Sequence, residues 1–314
     1  MKTISRLFNI KYPVIQGGMI WCSGWELASA VSNAGGLGLI GSGSMYPEIL
    51  REHIQKCKLA TDKPFGVNVP LLYPDIEEHM KVIVEEGVKI VFTSAGNPKT
   101  WTQYLKNHGI IVVHAISNIK FALKCQEAGV DAIVAEGFEA GGHNGREETT
   151  TLVLIPQIRK AVSIPLIAAG GIGSGQAIAA AIALGADGVQ IGSRFVTTHE
   201  SSAHINFKNS VVAAKEGDTT LSLKQLTPVR LIRNPFFYKV DELEKKGAGI
   251  DELSNLLGKG RAKKGMFEGD LVEGELEIGQ VSASIDKIQS VQEVFDELIT
   301  DYNATLSLMA TQRM

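Results

Sequence analysis

Short apolar runs recur along the first two-thirds of the chain, each followed by a stretch with helical spacing. The runs are PVIQGGM (13–19), GLGLIGSG (36–43), FGVNVP (65–70), IVFTSAG (90–96), IIVVHAIS (110–117), DAIVAEG (131–137), PLIAAGGI (165–172) and GVQIGSRF (188–195). Unbroken apolar runs, as opposed to alternating ones, suit strands buried on both faces of a parallel sheet. Between them, WELASAVSNAGG places Leu27, Ala30 and Val31 on one helical face and ends in glycine, a helix stop signal. DIEEHMKVIVEEG (75–87) and NIKFALKCQEAGV (118–130) behave the same way. The clearest is SGQAIAAAIALGADG (174–188), with Ser174 as N-cap and Gly185 as terminator.

Eight strands alternating with helices predict an α/β protein built on a (β/α)8 TIM barrel. A doubly wound open sheet competes, because GLGLIG (Gly36, Gly38, Gly41) fits a dinucleotide-binding glycine pattern. Those glycines lie inside the apolar run, however, and not in a turn that presents a helix N-terminus to a pyrophosphate, so the match is read as accidental. From about residue 205 the pattern becomes helical and charged, with no further strand runs. VDELEKKGAGIDELSNLLGKGRAKKG (240–265) reads as two amphipathic helices ending in a basic cluster, Lys259–Lys264, and SVQEVFDELITDYNATLSLM (290–309) as a terminal helix. The expected organisation is a barrel over 1–204 and a mainly helical lid over 205–314, its last helix packing back on the barrel.

Composition narrows the class. The 314 residues are 44% hydrophobic and 21% charged with a net charge of −3, which gives no reason to expect nucleic-acid binding. No apolar run reaches the roughly 20 residues that span a bilayer, and no secretory leader is evident. The three cysteines, Cys22, Cys57 and Cys125, show no metal-ligand spacing. Reduced thiols, a cytoplasmic location and no metal are expected.

The 33 glycines matter for where they fall. In barrels of this kind ligands bind at the C-terminal strand ends, with phosphates at the last two βα loops. There the chain reads AAGGIGSG (168–175) and QIGSRF (190–195), loops in which backbone N–H groups can approach an anion. The other strand ends carry Gln16-Gly17-Gly18-Met19, Asn68, Ser94-Ala95-Gly96 and Glu136-Gly137. Such a rim suits a flat, partly polar phosphate such as flavin mononucleotide. A sugar phosphate or pyridoxal phosphate matches too, although the latter needs a strand-end lysine and no run ends in one.

YPVIQGGM, AVSNAGGLGLIG, DKPFGVNVP, AEGFEAGGHNG, IPLIAAGGI and ADGVQIGSRF closely resemble the nitronate monooxygenase (2-nitropropane dioxygenase) superfamily of FMN-dependent TIM barrels. Within it GVKIVFTSAGNPKTW, ESSAHINFK, TPVRLIRN and GELEIGQVSA look most like the enoyl-acyl-carrier-protein reductase II branch. The resemblance implies noncovalent FMN, with Gly17, Gly18 and Met19 along one side of the ring and Asn68 and Glu136 at its polar edge or ribityl chain. Gly170, Gly171, Gln190, Gly192 and Ser193 would hold the ribityl–phosphate end; Ser193 stands where threonine is common and keeps the hydroxyl. His143 is implied as the active-site histidine, and Asn144 follows it where such reductases often carry isoleucine. Substrate contacts are expected from Ser94, Asn144 and Gln280.

The loop EAGGHNGREETTT (139–151) is then expected over the barrel mouth, Gly141 and Gly142 letting the backbone approach the ring. Histidine titrates near physiological pH and suits proton transfer beside a substrate. The leading function is NADH- or NADPH-dependent reduction of an enoyl thioester on an acyl carrier protein or small molecule, by a homodimer. The alternative is oxidation of alkyl nitronates with O2, and a flavin- or phosphate-binding regulatory barrel is a third. Cys22 reads as an inert filler. Arg146, Glu147 and Glu148 are either loop-ordering ion pairs or cofactor contacts. His199 and His204 fall on or near the last helix, His204 reading as structural. Trp21 and Trp25 either cover the flavin or pack on the first helix. Arg230 and the Lys259–Lys264 cluster either meet a carrier protein or dinucleotide or form a solvated surface.

Overall fold

The structure, a computed structural model, describes residues 3–312. All eight apolar runs form parallel strands: β1 (Val14–Gln16), β2 (Gly38–Gly41), β3 (Phe65–Pro70), β4 (Ile90–Ser94), β5 (Ile111–Ile116), β6 (Ala132–Glu136), β8 (Leu166–Ala169) and β9 (Gly188–Ile191). A two-residue strand, β7 (Gly142–His143), intervenes outside that sheet. The sheet order β1-β9-β8-β6-β5-β4-β3-β2 is closed by a parallel bridge between Ile15 and Leu37, giving a TIM barrel.

The helices are α1 (Thr3–Phe8), α2 (Trp25–Asn33), α3 (Pro47–Ala60), α4 (Ile76–Glu85), α5 (Thr102–Asn107), α6 (Ile119–Ala128), α7 (Thr151–Ala161) and α8 (Gly175–Ala183). After the barrel come α9 (Ser193–Val196), α10 (Ile205–Ala213), α11 (Pro235–Lys245), α12 (Ile250–Leu257) and α13 (Val291–Thr311). Ser174 caps α8 by accepting from Ala177 N–H at 3.1 Å, and Gly185 follows its end at φ +106°. The glycine pattern at 36–41 has a packing cause: a Cβ on Gly38 would lie 1.8 Å from Ala28 O, so glycine lets α2 sit directly on β2.

Alternation along the strands separates two cores. Ile15, Leu37, Leu39, Ile90, Phe92, Val113, Val134 and Ile167 fill the lumen, and α1 stops its lower end with Ile4 and Phe8. Each such buried side chain contributes about 1.5–3 kcal/mol. Val14, Val67, Val91, Val112, Ile133, Leu166 and Val189 point outward against the helices. The inward series continues upward into Asn68, Ser94, Glu136 and Gln190, so the lumen changes from apolar to polar at the C-terminal strand ends.

The segment beyond 205, expected to be mainly helical with no further strand runs, carries two strands. Thr219–Ser222 (β10) and Val229–Ile232 (β11) form an antiparallel hairpin, and β11 pairs with β7. Their four-residue length and the intervening LKQLTP left no apolar run to read. α13 returns to pack against α8 and α2. His199 and His204 lie between α9 and α10, and His204 caps α10 through Nδ1, 3.1 Å from Asn206 N, a structural role as expected. None of the helices among the described residues is long and apolar enough to cross a membrane.

Candidate active site

The glycine loops and the β1 loop converge at the mouth. Gly17 N–H donates to Ile191 O at 2.9 Å, and a Cβ on Gly17 would lie 3.5 Å from Gly192 Cα. Gly18 abuts Asn68, whose Nδ2 donates to Gly18 O at 3.2 Å. A Cβ on Gly192 would meet only Met19 Sδ, at 3.5 Å, so this glycine looks onto open space. Ser193 Oγ accepts from Gly279 N–H at 3.0 Å, tying the β9 loop to the chain near its C-terminal end. Gly170 and Gly171 have φ of +93° and +68°, a backbone that side-chain-bearing residues rarely adopt, and Gly171 faces Glu139. Glu139 accepts from Thr151 N–H at 2.9 Å, so the α7 N-terminus already holds its own carboxylate.

Two polar side chains at the top of the lumen lack partners. Neither Glu136 nor Gln190 makes a side-chain hydrogen bond among the described residues. Burial pushes the Glu136 carboxyl up to about 7. Ser94 ends β4 opposite Pro70 of β3.

His143 is held by pairing opposite Val229, with Gly142 opposite Arg230. Its imidazole is reached by solvent, yet burial in the concave mouth lowers its pKa, with the Glu275 carboxylate opposing. The two glycines before it have a packing role. A Cβ on Gly141 would lie 2.4 Å from Ile278 C, and one on Gly142, at φ +72°, 2.6 Å from Glu277 Oε2. They let the 275–279 segment lie against the loop. Asn144 is turned back on the loop, its Nδ2 donating to Ala140 O at 2.8 Å. Gln280 is exposed, and its N–H donates to Glu139 O at 2.9 Å.

The remaining polar loop residues order the loop. Arg146 donates to Lys224 O at 2.9 Å and Leu226 O at 2.6 Å, Glu148 pairs with Lys224, and Glu147 accepts from Asn118 Nδ2 at 2.7 Å. Arg230 is 2% exposed, donates from Nε to Phe138 O at 3.1 Å and stacks 4.4 Å from the Phe138 ring. It is an internal clasp between β11 and the β6 loop, not a docking surface. In the Lys259–Lys264 cluster, Arg261 pairs with Glu273 at 3.1 Å, Lys263 with Glu268 at 3.2 Å and Lys264 with Asp270 at 3.4 Å, which neutralises most of it. Cys22 is buried, its thiol pushed up to about 12, and so is inert at neutral pH. Trp21, at φ +61°, packs beside Phe267 with ring centroids 5.7 Å apart, while Trp25 begins α2.

Sequence reasoning missed Glu275 and Glu277. Both sit in the quoted GELEIGQVSA stretch, and their alternation with Leu276 and Ile278 was the available signal. No group of three or more His, Cys, Asp or Glu among the described residues has metal-site geometry.

A closed parallel barrel with glycine loops and a histidine at its mouth defines a TIM-barrel oxidoreductase once its relatives are considered. The nitronate monooxygenase family model matches residues 2–82 and 75–301, and the chain belongs to that family. FabK from Thermotoga maritima superposes with a TM-score of 0.94 at 39% identity, over 99% of each chain. A probable nitronate monooxygenase from Staphylococcus saprophyticus is 33% identical over 83% of this chain and 88% of its own length. A (3aS,4S,5R,7aS)-5-hydroxy-7a-methyl-1-oxo-octahydro-1H-indene-4-carboxyl-CoA dehydrogenase from Rhodococcus jostii is 35% identical over 87% of this chain and 77% of its own length.

Proposed function

We propose that the chain is an FMN-dependent reductase of enoyl thioesters, of the enoyl-acyl-carrier-protein reductase II type, using NADH or NADPH. The observation that carries this reading is the likeness to FabK over 99% of both chains, which includes the segment beyond 205. The mouth fits a flavin: an open space before Gly192, a glycine backbone at 170–171, and two unpartnered polar side chains, Glu136 and Gln190. Gly17, Gly18 and Met19 would line one side of the ring, Asn68 and Glu136 its polar edge, and Gly170, Gly171, Gln190, Gly192 and Ser193 the ribityl–phosphate end. When bound, FMN supplies hydride transfer from the nicotinamide to the enoyl β-carbon.

His143 would hold the proton for the substrate's α-carbon, the paired β7–β11 backbone fixing where its ring starts. Ser94, Asn144 and Gln280 are candidate substrate contacts, Asn144 only if its bond to Ala140 opens. Residues 1–204 would bind the cofactor, and 205–314 would cover it and supply part of the mouth. A homodimer in the cytoplasm is the expected form.

The test is anaerobic stopped-flow mixing. Flavin bleached rapidly by NADH or NADPH and recoloured by an enoyl thioester supports the reductase. Negligible bleaching by nicotinamide, with fast reduction by an alkyl nitronate, would replace it with a nitronate monooxygenase, the reading favoured by the Staphylococcus saprophyticus relative.

A further inference from the structure

One edge of β11 serves two partners. Val229 pairs with His143, and two residues on, Leu231 forms an antiparallel bridge with Glu277. Residues opposite one another in a sheet share a face, as do residues two apart along a strand. His143, Glu277 and Glu275 therefore stand on one face, while Leu276 and Ile278 enter the apolar cluster with Phe207 and Val211. Glu275 is 6% exposed and its Oε1 has no hydrogen-bond partner. Glu277 lies against the Gly142 backbone and makes no side-chain hydrogen bond among the described residues.

Two unpaired carboxylates side by side in such a setting are unfavourable, and with no metal-site geometry among the described residues the group they can hold is a proton. Burial pushes both carboxyls up, and for Glu275 the charge of Glu277 adds to it. The charged and titratable groups facing them are His143 on β7, Arg261 after α12 and Cys22 after β1. Lys208 of α10 reaches toward Cys22, but its Nζ is bound to Thr198 O at 2.7 Å and Ser201 O at 2.8 Å. His143 is biased the other way, toward its neutral form. A neutral-leaning imidazole beside protonated carboxyls is an acid–base division of labour set by environment.

We propose that Glu275 and Glu277 form a proton-holding pair that reloads His143 in each turnover. The proposal rests on the reductase reading above. In that reading the neutral imidazole gives its N–H proton to the substrate α-carbon while its second nitrogen takes the proton of the Glu277 carboxyl. The ring stays neutral, Glu277 becomes a carboxylate, Glu275 stays protonated beside it, and solvent returns one proton to the pair. No hydrogen bond joins Glu277 to His143, so the transfer runs through a water of the mouth or a turn of the exposed ring. Acting through His143, both glutamates are positioning residues.

The test uses FMN-loaded wild type, Glu275→Gln and Glu277→Gln, with flavin occupancy and thermal melts checked. Bleaching by NADH should stay within about twofold, because it needs no proton from His143. Recolouring by crotonyl-coenzyme A should slow roughly 10-fold in Glu277→Gln, with the decline at high pH beginning at lower pH. Wild-type rates and an unchanged pH profile in both loaded variants would overturn the pair. If crotonyl-coenzyme A fails to recolour even the wild type, the reductase reading falls. The pair is then judged by imidazole NMR, with His143→Ala for assignment. Protonated carboxyls carry no charge, so the His143 midpoint should stay where it is in Glu275→Gln and Glu277→Gln, and a midpoint lowered in either variant would reveal an ionised carboxylate and overturn the proposal. The same NMR reading on apo protein serves for any variant that does not take up FMN.

Discussion

The two sides of the barrel mouth are built in different ways. On the β8–β9 side, Gly170, Gly171 and Gly192 directly follow their strands and Ser193 opens α9, so the local chain sets most of their conformation, with one distant tie from Gly279 N–H to Ser193 Oγ. On the histidine side, β7 has two residues and makes no sense alone; it exists because β11 and the 275–279 backbone lie against it. The first side is local, and the second is assembled from segments far apart in sequence. A local site can be damaged at one position without disturbing the fold, whereas an assembled one is sensitive to residues that touch no ligand.

The largest effect expected is at Gly192. Its Cβ direction is open apart from Met19 Sδ at 3.5 Å, so Gly192→Val should leave the melting temperature near wild type while abolishing FMN retention. Gly170→Ala is the contrasting variant. At φ +93°, with a Cβ 2.7 Å from Gly137 O, it should destabilise the protein whether or not flavin is present. Absorbance at the flavin band beside a thermal melt checks both. Normal flavin content in Gly192→Val would place the phosphate elsewhere.

Next is His143→Ala. The side chain is exposed and sits on a short edge strand, so truncation should change stability by less than about 0.5 kcal/mol. Turnover should fall by about 10²–10⁴-fold, the usual contribution of a positioned acid–base group. A fully FMN-loaded variant with near-wild-type turnover on both enoyl thioester and nitronate would make the histidine structural.

The same contrast decides what could be read from the sequence. All eight barrel strands were legible, because an apolar run buried on both faces is a local signal, and so were the Ser174 cap and the Gly185 stop of α8. His143 could be singled out by its loop, but the packing role of Gly141 and Gly142 could not. The space beside them is filled by Ile278 and Glu277, and nothing within 139–151 announces contact with residues so distant. The hairpin β10–β11 escaped notice for the same reason: four-residue strands acquire their pairing from a partner, not from a pattern. Arg230 read as a possible surface contact because charge alone does not reveal burial at 2% exposure.

Arg230 therefore sharpens the contrast. Arg230→Met keeps bulk over the Phe138 ring but removes the bonds from Nε to Phe138 O and from Nη1 to Thr219 Oγ1, at 3.1 and 3.3 Å. A loss of roughly 1–3 kcal/mol is expected, confined to the hairpin and the His143 loop. Flavin content should hold while turnover drops roughly 10-fold, because the imidazole is no longer fixed. Hydrogen exchange at Gly142 and His143 reads this directly; unchanged protection with unchanged turnover would mean that the loop holds itself.

Glu136, at the end of β6, stands between the two sides and gives the smallest effect. Its carboxyl titrates at about 7 in the folded protein against an ordinary 4.5, because burial disfavours the charge. Between those values the unfolded chain has released the proton and the folded protein still holds it, so this group costs stability as pH rises from about 4.5 to 7. Glu136→Gln carries no such charge. The melting temperature of the apo wild type relative to the variant should therefore fall as pH rises through that window and level off above it. Solvent still reaches the side chain, so the change is held to about 1 kcal/mol, or roughly 2–4 °C in a chain of this size. Glu275 and Glu277 shift in the same direction and remain in the variant, so its own curve keeps part of the slope. A wild-type-minus-variant difference that is constant from pH 4.5 to 8 would mean that Glu136 is ionised throughout, and that the top of the lumen is wetter than its burial implies.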